Sequence, residues 1–111
     1  FWSVALETFK RDLPEKEKER CAQTIGIVCY WRSDSEGRPA NGGTKTIATP
    51  GLVEEVKGPL KVCTKNALHG TFNPTMWKGE RLWLVVLIGE TQIEEDKIGA
   101  LKREIICELI P

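Results

Sequence analysis

The feature that most constrains the fold is a nine-residue run, R-L-W-L-V-V-L-I-G, at residues 81–89. In a β-strand, alternate side chains point to opposite faces of the sheet. Here both sets are apolar: one is Leu82, Leu84, Val86 and Ile88, and the other is Trp83, Val85 and Leu87. A strand that is apolar on both faces belongs in the middle of a sheet covered on both sides. The run therefore predicts a central strand, and we expect N-terminal helices to cover it.

The N-terminal residues 1–24 carry an apolar stripe at helical spacing. The stripe consists of Trp2, Leu6, Phe9 and Leu13. Pro14 suits the first turn of a second helix. Trp2, Val4 and Leu6 also alternate, so a short strand is the competing interpretation of the first residues.

Residues 25–32, I-G-I-V-C-Y-W-R, are rich in β-branched and aromatic types and predict a strand. Shorter strands are expected at 44–48 and 60–63, and a single helical turn at 74–78. Residues 99–110 alternate as a strand would, although their leucine and isoleucine spacing also fits a helix. The paired isoleucines and the strand-sized length favour a strand.

These elements predict an α+β fold: a twisted, mostly antiparallel sheet with one or two N-terminal helices packed on it. A chain of 111 residues has the length of a single domain. We expect residues 1–24 to form its helical segment and residues 25–111 its β-rich core.

Composition disfavours several classes of function. The formal net charge is zero, from 16 basic and 16 acidic residues, which disfavours extended nucleic-acid binding. No run is apolar and long enough to span a bilayer, and no signal-peptide pattern is present, so a cytosolic protein without membrane association is expected. A homo-oligomer stays open.

The four cysteines, at positions 21, 29, 63 and 107, form no C-x-x-C pair. Reduced thiols are therefore expected. Zinc needs three or four ligands. With His69 the only histidine, we expect no bound metal and no cofactor.

The candidate site residues are polar or aromatic side chains in the second half of the chain. His69, in L-H-G-T, is read as a turn histidine able to orient a ligand. Trp77, beside Met76 and Lys78, could form part of an interface. Either residue could instead have only a structural role.

Two basic residues and a glycine-containing turn complete the candidates. Lys97 and Arg103 follow an acidic turn, and Arg103 falls on an otherwise apolar strand face. An inward arginine requires a carboxylate or a ligand anion, and Glu80 or Glu90 is the expected internal partner. Asn41, in N-G-G-T-K, belongs to a hairpin turn or to a backbone anion nest.

Four blocks of sequence carry a family resemblance. They are W-R-S-D-S-E-G-R-P-A-N-G-G, L-K-V-C-T-K-N-A-L-H-G-T, W-K-G-E-R-L-W-L-V and D-K-I-G-A-L-K-R-E-I-I, within about residues 27–109. Together they resemble a small uncharacterised domain family of bacteriophage and bacterial genomes. The matching positions are Asn41, Gly42, Gly43, Cys63, Leu68, His69, Trp77, Asp96, Lys97, Ala100 and Arg103. Ala67 replaces the glycine usual before L-H.

The resemblance implies a phage or prophage origin and a compact β-rich fold, but it carries no activity. Two functions are expected from these observations. The first is a phage-type accessory binding protein that acts on a host protein or a small anionic, nucleotide-like ligand, with an inhibitor of a host defence system as one form of it. The alternative is a minimal ADP-ribosyltransferase-like enzyme, in which His69 and Thr71 would hold a nicotinamide nucleotide. Because no glutamate is persuasively placed to orient the ribose, the binding function is preferred.

Overall fold

A computed structural model describes residues 2–16, 19, 26–37, 47–62, 67–76 and 79–109. Within these ranges the chain has one helix and five strands with defined bounds, and residues 15, 16 and 19 are also helical, as expected for a helix that begins near Pro14. The elements are α1 (Trp2–Asp12), β1 (Gly26–Ser33), β2 (Val53–Glu55), β3 (Leu68–Gly70), a 3-10 turn (Pro74–Met76), β4 (Arg81–Glu94) and β5 (Lys97–Leu109). The antiparallel sheet with a helix packed on it agrees with the predicted α+β class.

The apolar run lies at the centre of the sheet, as the sequence predicts. β4 pairs with β1 on one edge, from Gly26 opposite Ile88 to Ser33 opposite Arg81. It pairs with β5 on the other edge. β4 continues to Glu94, five residues beyond the predicted end, because its second half forms a long hairpin with β5.

The sheet curls until its two sides meet. On the edge away from β4, the first part of β5 pairs with β3 and the next part with β2. Thr71, directly after β3, then pairs with Tyr30 of β1 through two backbone hydrogen bonds of 2.8 Å. The path from β1 through β4, β5 and β3 therefore returns to β1.

This curl creates two apolar cores. The helix core lies between α1 and the outer face of the sheet and contains Leu6, Leu13, Tyr30, Leu84, Val86, Ile106 and Leu109. The ring core lies on the other face and contains Cys29, Trp31, Ala48, Trp83, Val85, Leu87, Ile98, Ala100 and Ile105. Each side chain of the run at residues 83–87 is buried, as expected for a central strand.

The expectation that helices cover both faces of β4 is wrong. In the described part of the chain, α1 packs on the helix core alone. The ring core is closed by the curl itself and by the segment around Ala48 and Leu52, which bonds through Leu52 O to the Ile105 amide at 2.8 Å. A curled sheet buries its concave face against its own strands, so it needs no second helical layer.

Two predictions for the middle of the chain are also wrong. Residues 60–62 form no strand, and Val53–Glu55 forms one instead. The L-H-G segment is strand β3 rather than a turn. Gly70 is required there for a close approach, because an added Cβ would collide with the Sγ of Cys29.

The remaining predicted elements are partly confirmed, partly contradicted and partly outside the described residues. The helix interpretation of the first residues and the strand interpretation of residues 99–110 are confirmed. Residues 47–49 form no strand, and residues 44–46 of that predicted strand lie outside the described ranges. No helix in the described residues is both long and apolar enough to cross a membrane.

Candidate functional site

The candidate site lies where β3 pairs with the start of β5. His69 is opposite Gly99, and Lys97 is two residues before Gly99 on the same strand. Residues two apart on a strand point to the same face, so His69 and Lys97 are diagonal neighbours on one face. The fold therefore brings together two of the predicted site residues, 28 positions apart in the chain.

Arg103 lies beneath this surface rather than on it. Its side chain is buried, and Nη2 donates to Glu54 Oε1 at 2.8 Å while Nη1 donates to the His69 backbone carbonyl at 2.7 Å. The predicted partners were Glu80 or Glu90; the structure shows Glu54 instead. Arg103 therefore forms an internal ion pair with Glu54 and also binds the backbone of β3 at His69.

The guanidinium of Arg103 also stacks on an aromatic ring. Its central carbon lies 4.3 Å from the centroid of the Trp31 ring. Burial lowers the pKa of Arg103, while the charge and hydrogen bond of Glu54 raise it. Arginine stays protonated in proteins, so this position holds a permanent positive charge. Nε is buried without a hydrogen-bond partner in the described structure.

His69 has a half-buried imidazole in a positive electrostatic environment. Burial lowers its pKa from the ordinary value of 6.5, and the charges of Arg103 and Lys97 lower it further. The imidazole is therefore neutral at pH 7, with one nitrogen as donor and the other as acceptor. The two charges that lower the pKa of His69 are both positive, and the acidic turn just before Lys97 does not reverse their effect.

Thr71 has a structural position. It is fully buried, and its Oγ1 accepts a hydrogen bond of 3.0 Å from the Asn73 amide and donates to the Asn73 carbonyl at 3.3 Å. Its hydroxyl thus stabilises a local turn, while its backbone closes the sheet against Tyr30. This arrangement gives no support to a nucleotide-holding role for Thr71.

Two predicted site residues, Asn41 and Trp77, lie outside the described ranges, as do Cys21 and Cys63. In the ranges that are described, no group of three or more histidine, cysteine or acidic side chains is arranged to hold a metal ion. Neither Cys29 nor Cys107 is in a disulfide. Burial raises the pKa of Cys29 to about 12, so that thiol is protonated and unsuited to nucleophilic chemistry.

Sequence reasoning missed two residues that organise this region, Glu54 and Trp31. Glu54 lies in V-E-E-V, and nothing in this short sequence distinguishes it from the neighbouring Glu55. Only the three-residue strand β2 places Glu54 on the inward side. Trp31 was an uncommon aromatic in a predicted strand, but its stacking partner is 72 residues away. Only the pairing of Glu54 opposite Arg103 in adjacent strands identifies the ion pair.

A concavity lies between the end of α1 and the end of β5. It has a volume of about 330 Å³ and is lined by Phe9, Asp12, Leu13, Pro14, Cys107, Glu108 and Leu109. Of its two acidic side chains, Glu108 accepts from Arg81 on both oxygens at 2.8 Å each, and Asp12 accepts from Arg11 at 3.2 Å. It therefore offers mainly an apolar surface.

Comparison with protein-family models, with curated proteins and with solved structures found no match for this chain.

Proposed function

We propose that this protein is a non-enzymatic binding module whose surface at His69 and Lys97 holds a small anionic, nucleotide-like ligand. The observation that carries the proposal is the pairing of β3 with β5, which places these two side chains together above the buried Arg103. A neutral imidazole and an ammonium group then face the same region, with a permanent positive charge behind them.

These groups supply complementary contacts. Lys97 contributes three donors and a charge, which suit a phosphate or carboxylate as a point charge. His69, kept neutral, can donate to an anion or accept from a ligand hydroxyl or amino group. Arg103 stays behind β3 and contributes through its field rather than by contact, because its side chain is buried.

The same surface suits an acidic segment of a host protein. A carboxylate side chain presents the same acceptor geometry to Lys97 as a small anion does. The phage resemblance favours such a partner and an inhibitory role against a host defence system, and it adds Trp77 and Asn41 as contact residues. The host-protein form of the proposal depends on that resemblance.

A thermal-shift titration with AMP, cyclic AMP and NAD⁺, and with a synthetic glutamate-rich peptide, tests the proposal. Saturating a folded-state site raises the melting temperature, by an amount that grows with ligand concentration over Kd. We expect at least one probe to stabilise the wild type and to lose that effect in His69→Ala and Lys97→Ala. The exposed Lys16 gives the matched control, Lys16→Ala, since it lies four residues beyond the end of α1 and belongs to neither β3 nor β5. Equal shifts in all four proteins, or none in any, would refute a site at His69 and Lys97.

A further inference from the structure

The most unusual group in the described structure is the buried guanidinium of Arg103. It lies on β5 and contacts three other strands: the Trp31 ring on β1, the Glu54 carboxylate on β2 and the His69 carbonyl on β3. Glu54 is 49 residues away in sequence and His69 is 34 residues away. One side chain thus connects four of the five strands.

Stability alone does not account for a charge pair in this position. Desolvating both ions offsets much of their attraction, and apolar replacements of buried ion pairs are often neutral or stabilising. The side chains of Arg103 and Glu54 are only 3% and 11% exposed, so this cost applies to both. What an apolar pair could not reproduce is the hydrogen bond to His69.

That hydrogen bond acts on a short strand. β3 has three residues, and its middle residue is His69. Arg103 Nη1 donates to the His69 carbonyl at 2.7 Å, which fixes the peptide that follows the imidazole-bearing carbon. Glu54 in turn holds Nη2 at 2.8 Å and so limits how the planar guanidinium can rotate.

We infer that Glu54 is a positioning residue for the His69 surface: it orients Arg103, and Arg103 fixes the β3 backbone that carries the imidazole. This inference rests on the proposed function for its consequence in binding. Its structural part, from Glu54 through Arg103 to His69, stands without any ligand.

The pair also sets the charge that His69 experiences. Arg103 is one of the two cations that disfavour protonation of the imidazole, and Glu54 is the carboxylate that offsets Arg103. Removing both charges should therefore make His69 easier to protonate. Neutralising Glu54 alone should leave Arg103 less compensated and make His69 harder to protonate.

Because the chain has one histidine, its imidazole resonances can be followed by NMR without overlap from another. The variants are Glu54→Gln, which keeps a hydrogen-bonding oxygen without the charge, and the double apolar variant Glu54→Leu with Arg103→Met. Glu104→Gln serves as the control, since it removes a carboxylate from β5 at the residue next to Arg103. Each folded variant is titrated with acid, and its affinity for AMP is measured.

We expect the imidazole of the double variant to titrate at higher pH than in wild type, and that of Glu54→Gln at lower pH. The His69 and Gly70 amide resonances should shift in both variants, and AMP affinity should fall by about tenfold or more in the double variant. Glu104→Gln should resemble wild type. If the imidazole titration and both amide resonances are unchanged in Glu54→Gln, the positioning role is refuted, whether or not the double variant folds. Failure of wild type to bind any of the four probes, AMP among them, would count against the proposed function, while the NMR titration would still decide the positioning role.

Discussion

The guanidinium of Arg103 stacks 4.3 Å from the centroid of the Trp31 ring, on the same side of the sheet as the ring core. A second arginine repeats the arrangement at the surface, where Arg81 lies 4.6 Å from the Trp83 ring. Each arginine also pairs with a carboxylate at 2.8 Å, Glu54 in the interior and Glu108 outside. The two sites therefore combine the same chemical groups and differ in their exposure to water.

Truncating these two arginines should give different losses of stability. Arg103→Ala leaves the Glu54 carboxylate buried without its partner, which typically costs about 3–5 kcal/mol. Arg81→Ala removes a partly exposed pair, whose expected cost is about 0–1 kcal/mol. Urea denaturation of both variants measures the difference in the free energy of unfolding. Equal losses would show that burial does not distinguish the two sites.

The central position of β4 predicts a large cost for shortening one of its buried side chains. Leu84 is fully buried in the helix core, so Leu84→Ala should lower the free energy of unfolding by about 2–5 kcal/mol. Ile93, further along the same strand, is 68% exposed. Ile93→Ala is the control and should change stability by about 0.5 kcal/mol or less. Comparable losses in the two variants would contradict the position of β4 in the core.

The contact between β3 and β1 predicts an interaction between two small residues. An added methyl group at Gly70 would collide with the Cys29 sulfur, so Gly70→Ala should be destabilising. Cys29→Ala removes that sulfur and should recover part of the loss when the two changes are combined. A double-mutant cycle by urea denaturation measures the coupling. Strict additivity would indicate that Gly70 does not approach Cys29 in solution.

The environment of His69 predicts a change of stability with pH. Its pKa is lowered in the folded protein, so the unfolded chain binds the proton more readily. The folded protein should therefore lose stability as the pH falls from above 6.5, the ordinary pKa of histidine, through the lowered pKa of His69 in the folded state. The loss is complete once the pH is below both of these pKa values.

Denaturation at pH 7.5 and pH 5.5, for wild type and His69→Gln, measures this contribution. Wild type should lose more stability between the two pH values than the variant does. Glu108, whose pKa is held below 4.5 by Arg81, contributes its own loss only at lower pH and so does not confuse the comparison. An identical loss in both proteins would show that His69 has no lowered pKa.

Local patterns in the sequence were sufficient for the longest elements. The stripe from Leu6 to Leu13 indicated a helix, and the two-faced apolar run at residues 81–89 indicated a central strand. These predictions succeed because helical and strand periodicities are properties of neighbouring residues, and burial of the resulting faces follows from their composition.

The short strands β2 and β3 depend on tertiary structure. Three residues carry too little periodicity to distinguish a strand from a loop, and both strands exist through pairing with β5. Along β5 itself, Ala100 and Arg103 both face inward although they are three residues apart, so simple alternation does not hold where the partner strand changes. The sequence predicted that the Arg103 side chain would point inward, but it did not predict the contacts of Arg103 with Glu54 and the Trp31 ring.

The sequence by itself determined that the chain would form an α+β domain around a central strand with two apolar faces. It also determined that an inward Arg103 would need a carboxylate or a ligand anion, and that His69 was the side chain best able to change its protonation near neutral pH. Only the tertiary structure decided that Glu54 supplies the counter-charge and that Lys97 lies beside His69. The physical reason is that a buried charge requires a partner, whereas strand register and sheet curl determine which carboxylate can reach it.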